Sequence, residues 1–80
     1  MNKLTQLNCH YLTPRKTIET ISVSNGKNEK AFFIYNYHGV SFRVFSTHEM
    51  LDRFWKGEAK EVGHFSSEKE LDKYLEQITF

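Results

Sequence analysis

Four histidines (His10, His38, His48 and His64) and one cysteine, Cys9, are the side chains that could hold a transition metal, because imidazole and thiolate are its usual ligands. Their spacing argues against a shared site. Cys9 and His10 are neighbours and would point to opposite sides of an extended segment. His38 falls in an expected turn, His48 at a helix start and His64 in a link between elements. A single sulfur also rules out a four-cysteine zinc centre and an internal disulfide. The run His48-Glu49-Met50-Leu51-Asp52 begins like the zinc-protease helix H-E-x-x-H, but Asp52 stands where the second histidine is needed and helix capping accounts for Glu49. No serine lies in a G-x-S-x-G context, and only His10 adjoins the Cys9 thiol. Gly26, Gly39, Gly57 and Gly63 are isolated turn or stop residues, with none of the clustering of a phosphate-binding loop. The expectation is a protein that is not an enzyme and uses no metal or cofactor.

A second constellation points to binding. Phe32, Ile34, Arg43 and Phe45 are expected to share one sheet face, beside Lys16 (or Arg15) from the preceding strand. Aromatics interleaved with cations can stack on nucleobases while the cations meet phosphates. The same strip suits a protein partner, since large rigid side chains contribute much of an interface core at low entropic cost. A sheet edge offers another route, through strand addition by a peptide or a second copy. Burial under the N-terminal arm, the second helix or another subunit would account for these residues without any ligand. Trp55 beside Phe54 is a further anchor candidate, with helix-on-sheet packing as the plainer explanation.

The elements that must position these residues follow from periodicity. Residues 1–15 lack a clean period, and Pro14 removes a backbone donor and disfavours helix at Thr13. They read as a loosely ordered arm, with a short strand as the alternative. Thr17, Ile18, Thr20, Ile21 and Val23 give 16–23 the composition of a strand. Asn25-Gly26 is a strong hairpin signal, because both residues tolerate positive φ. The run 31–37 is again strand-rich. A two-residue reversal at His38-Gly39 would set Tyr37 opposite Val40, Tyr35 opposite Phe42 and Phe33 opposite Val44, leaving Phe32 beside Phe45 and Ile34 beside Arg43 on the other face. Beyond Phe45 the period becomes helical. Ser46 and Glu49 form a capping box for a helix over 47–56, with Leu51, Phe54 and Trp55 on one face and Gly57 as its stop. Residues 58–65 read as a loop or short edge strand. Ser67 and Glu70 cap a second helix over 67–78, whose Leu71, Tyr74, Leu75 and Ile78 make an apolar stripe. The fold class expected is α+β: a three-stranded antiparallel meander, with a fourth short strand as an option, packed against two short C-terminal helices as a two-layer sandwich.

Eighty residues of 9.5 kDa, 26% charged and 39% hydrophobic, fit one small domain spanning 1–80. Twelve aromatics and a single proline separate the chain from disordered compositions. Surface scaling gives about 5,000 Å² exposed when folded, near the lower limit for a domain that folds alone, so self-association is a natural supplement. The net charge of +1 divides unevenly, +4 over residues 1–45 and −3 over 46–80, a split that acidic helix starts explain. No apolar run reaches membrane-spanning length and no signal-peptide core is present, so the sequence reads as cytoplasmic, without a membrane partner. Together these features predict a small intracellular interaction module whose partner is another protein or a second copy of itself, a homodimer. Nucleic acid bound at Lys16, Phe32, Ile34, Arg43 and Phe45 is the alternative.

Overall fold

Strand-favouring segments from Lys16 to Phe45, preceded by a strand without a clean period, give four consecutive hairpin-linked strands. The computed structural model describes residues 2–80. Its sheet has five antiparallel strands in sequence order: β1 (Lys3–Thr13), β2 (Lys16–Ser24), β3 (Glu29–Tyr37), β4 (Ser41–Phe45) and β5 (Gly63–Phe65). Helix α1 (His48–Trp55) joins β4 to β5, and α2 (Glu68–Glu76) closes the chain. The α+β class, the antiparallel meander and the two short helices agree with the sequence reading. No helix among the described residues is long and apolar enough to cross a membrane.

The sheet has five strands where three, with a fourth as an option, were expected. The arm of residues 1–15 is an eleven-residue strand paired with β2 along its length, interrupted by irregularities at Leu7 and Leu12. Those irregularities, together with exposure of both faces, erase the period-two signal that would have marked it. Residues 63–65 take the short edge-strand option.

The turns explain the register. Between β2 and β3, Asn25 Oδ1 accepts from the backbone of Lys27 (2.9 Å) and Asn28 (2.8 Å), and Gly26 takes φ +94°. Between β3 and β4, the chain reverses at His38 and Gly39 as expected, both with positive φ (56° and 72°), but three residues separate the last paired positions, Tyr37 and Ser41. The expected two-residue loop is therefore one residue too short. Phe33 faces Phe45, Ile34 faces Val44 and Tyr35 faces Arg43, so every side chain of β4 lies on the face opposite to the one expected.

That parity sends the two helices to opposite sides of the sheet. Val23, Phe32, Ile34, Phe42 and Val44 form a core with Leu71 and Leu75 of α2. Tyr35 and Phe45, from the alternate positions, form a second core with Leu51 of α1. The two-layer sandwich is thus corrected to a sheet with one helix on each face, each covering part of it. A single shared core would need Phe42 and Phe45 on one side, which a strand cannot provide at odd spacing.

Local capping sets the helix ends. Thr47 Oγ1, one residue beyond the expected Ser46, accepts from Met50 N at 3.1 Å. The end of α1 is a Schellman motif, with Glu58 N donating to Arg53 O (2.9 Å) and Gly57 N to Phe54 O (3.0 Å) around Gly57 at φ +74°. Ser67 caps α2 as expected, accepting from Glu70 N at 3.2 Å. At the other end of α2, Asn2 Nδ2 donates to the carbonyls of Glu76 (3.0 Å) and Ile78 (2.8 Å), tying the start of β1 to the helix terminus.

Candidate interaction surface

β1 is an edge strand, so one side of its backbone has no strand neighbour among the described residues. Edges of natural sheets are usually shortened, charged or interrupted by proline, because an open row of N–H and C=O groups templates another strand. Residues 4–13 contain no Asp, Glu, Lys, Arg or Pro. Leu7, Tyr11 and Leu12 on this strand are 57%, 70% and 42% exposed. Two register shifts against β2, at Gln6/Asn8 and Tyr11/Thr13, are the only interruptions along it among the described residues. At the opposite border β5 is only three residues long and offers little template. The whole molecule exposes 5506 Å², more than the roughly 5,000 Å² that scaling gives for its mass, as an uncovered long strand would produce.

The five residues expected to share one face do not. Phe32 and Ile34 lie under α2, 7% and 0% exposed, and Phe45 lies under α1 with no exposure. Lys16 and Arg43 are on the α1 face. Arg43 serves the packing there: its guanidinium lies 5.4 Å from the Phe54 ring centre, Nε is 3.9 Å from a Glu61 oxygen, and Nε itself is buried without a hydrogen bond. Burial by α2, one of the plain explanations, accounts for Phe32 and Ile34, while α1 accounts for Phe45. The β3–β4 register separates Arg43 and Phe45 from Phe32 and Ile34, and the β2–β3 register puts Lys16 opposite Tyr37.

A different aromatic and basic group is assembled on the α1 face near the β1–β2 and β3–β4 turns. Tyr37 pairs with Lys16, whose ammonium is 4.9 Å from the ring centre. Trp55, at the end of α1, and Tyr37 both contact the buried Tyr35 ring, at 4.9 and 6.2 Å between centroids. Tyr37 and Trp55 remain 42% and 48% exposed. Arg15 adjoins them through its carbonyl, which accepts from His38 N at 2.7 Å. The sequence singled out Trp55 beside Phe54 but not Tyr37. The β2–β3 register, which pairs Tyr37 with Lys16, is the signal that would have found it.

The histidines stay apart. His10 and His48, with Asn8, Ile18, Thr20 and Phe33, line an open cleft of about 390 Å³. His48 stands edge-on to Phe33 (5.6 Å), and its Nδ1 is 3.2 Å from Asp52 Oδ2. Both partners of that pair are more than half exposed, so solvent screens it. His64 Nε2 is 2.7 Å from Ser41 Oγ. Among the described residues no three His, Cys, Asp or Glu side chains are grouped to hold a metal ion. The free thiol of Cys9 is half-buried on the α2 face of β1, opposite Glu19. Glu19 carries the one clear electrostatic perturbation. Burial pushes its carboxyl above the ordinary value, a hydrogen bond from Asn36 opposes that, and Glu68 and Asp72 on α2 push it further up.

Comparison of this chain with protein-family models, curated proteins and solved structures finds no match in any of the three.

Proposed function

We propose that this chain is a small, non-enzymatic intracellular module that associates with a second copy of itself by pairing the two β1 edges. The observation that carries this reading is the ten-residue stretch of β1 free of charge and proline, open along one side and bearing exposed Leu7, Tyr11 and Leu12. Strand addition supplies affinity through main-chain hydrogen bonds, and the apolar side chains add burial. A two-fold pairing is necessarily antiparallel. It sets the two Lys3 residues, the only Lys or Arg on the strand, at opposite ends of a ladder about 34 Å long, so like charges do not meet. The lone, half-buried Cys9 suits a reducing compartment.

Sedimentation of the purified chain across a concentration series tests the proposal, together with amide exchange along β1. Reversible growth to 19 kDa, twice the chain mass, with outward-facing β1 amides gaining protection at high concentration is the expected result. A strict monomer at millimolar concentration, or a dimer in which β1 amides exchange as freely as in the monomer, would refute it.

A further inference from the structure

We propose that Tyr37 and Trp55, with Arg15, Lys16 and Lys56 around them, form a platform on which the bases of single-stranded nucleic acid stack. The platform is built from β2, β3 and α1, and so leaves the β1 edge free. Its two rings are held in place by the buried Tyr35, at 6.2 and 4.9 Å, while each keeps close to half its surface open. Rings anchored in this way lose little further freedom when a base covers them. A cation lies against the first ring, and two more are exposed on neighbouring residues. Lys16 Nζ lies 4.9 Å from the Tyr37 ring centre, Arg15 is exposed at the adjoining turn, and Lys56 follows Trp55 directly in an exposed position. The carboxylates on this side are mostly engaged elsewhere: Glu49 holds Arg53 at 3.2 Å, Asp52 faces His48 at 3.2 Å and Glu61 lies 3.9 Å from Arg43. Glu58, two residues past Lys56, is the exception.

The size of the patch favours nucleic acid over a folded protein. Two aromatic side chains of roughly 200 Å² each, a little under half exposed, offer only about 200 Å² of apolar contact, against the roughly 800 Å² per partner of a standard protein interface. Stacking needs no more than this, because each base brings one π face and each phosphate one charge. A duplex is disfavoured, since its bases already stack on one another.

Trp55 is the only tryptophan, so its fluorescence reports on this platform directly. The 80-residue chain would be titrated with a mixed-sequence ten-nucleotide RNA, the DNA of the same sequence, the corresponding duplex and polyglutamate, following Trp55 emission and the anisotropy of labelled oligonucleotides. Quenching by the single strands, with affinity falling against salt at a log–log slope of about −2 for three phosphate contacts, is expected. Tyr37→Ala should weaken binding by about 5- to 150-fold. Lys16→Gln should flatten the salt slope by about 0.7. Tyr37→Leu keeps apolar bulk against Tyr35 without a π face, so it should weaken binding while the circular dichroism stays that of the parent. Absence of binding at low salt, duplex or polyglutamate bound as tightly as single strands, or unchanged affinity in both Tyr37 variants would each overturn the proposal.

Discussion

Replacing Tyr11 by lysine is expected to separate two copies of the chain without unfolding either. Tyr11 is 70% exposed, so the folded monomer gains little from it. Full burial of a large apolar side chain contributes roughly 1.5–3 kcal/mol, and covering the exposed part of Tyr11 is therefore worth about 1–2 kcal/mol. An isologous interface uses each residue twice, which doubles the effect to about 2–4 kcal/mol per dimer. At 1.4 kcal/mol per tenfold, dimerisation should weaken by about 30- to 700-fold. Extended to Leu7 and Leu12, the same reasoning gives about 5–10 kcal/mol for all three side chains in both copies, comparable with the roughly 4–15 kcal/mol that association costs. Main-chain pairing then decides the net affinity, and each side chain matters. Sedimentation equilibrium of parent and variant measures the dimerisation constant, and thermal unfolding in dilute solution checks that the monomer is intact within about 0.5 kcal/mol. A parent that dimerises while Tyr11→Lys leaves its constant unchanged would show that the contact lies elsewhere, and the argument from the β1 edge would fail.

Three further outcomes follow from the geometry. The raised pKa of Glu19 means that the folded chain holds its proton more tightly than the unfolded one, so stability falls as pH rises from the ordinary value of 4.5 through the folded value and then levels off. Glu19→Gln should accordingly be more stable than the parent at neutral pH and lose that advantage in acid, which denaturant melts at several pH values would read; a gap independent of pH would contradict it. Thr47→Ala should cost about 0.5–2 kcal/mol and Ser46→Ala close to nothing, because Thr47 makes the cap; equal effects in chemical denaturation would restore the Ser46 assignment. Leu75→Ala and Leu51→Ala should each cost about 2–5 kcal/mol, but their NMR shift changes should separate, the first reaching Ile34 and Val44, the second Tyr35 and Phe45. Shift changes common to both sets would contradict helices on opposite faces.

Local chemistry was legible in the sequence wherever one or two residues decide the outcome. Asn25-Gly26 reverses the chain because its residues tolerate the required φ and Asn25 can accept from the following amides. Gly57 ends α1 because it occupies the left-handed region, and Leu71 and Leu75 define α2 because their spacing puts them on one face. The order of elements and the α+β class follow from such signals. β1 escaped because an edge strand exposed on both sides needs no alternation, and its irregularities break what remains.

Which residues meet was left to the tertiary structure. His38 and Gly39 announce a turn, yet nothing in those two residues says whether two or three positions separate the paired strands. A single extra residue, Val40, inverts β4 relative to β3. That inversion puts Phe42 and Val44 with Phe32 and Ile34 under α2 and sends Phe45 under α1, while the β2–β3 register sets Lys16 beside Tyr37. The physical reason is the two-residue period of a strand: turn residues encode a change of direction, whereas the face each side chain occupies depends on register, and register is selected by how both faces of the sheet pack at once.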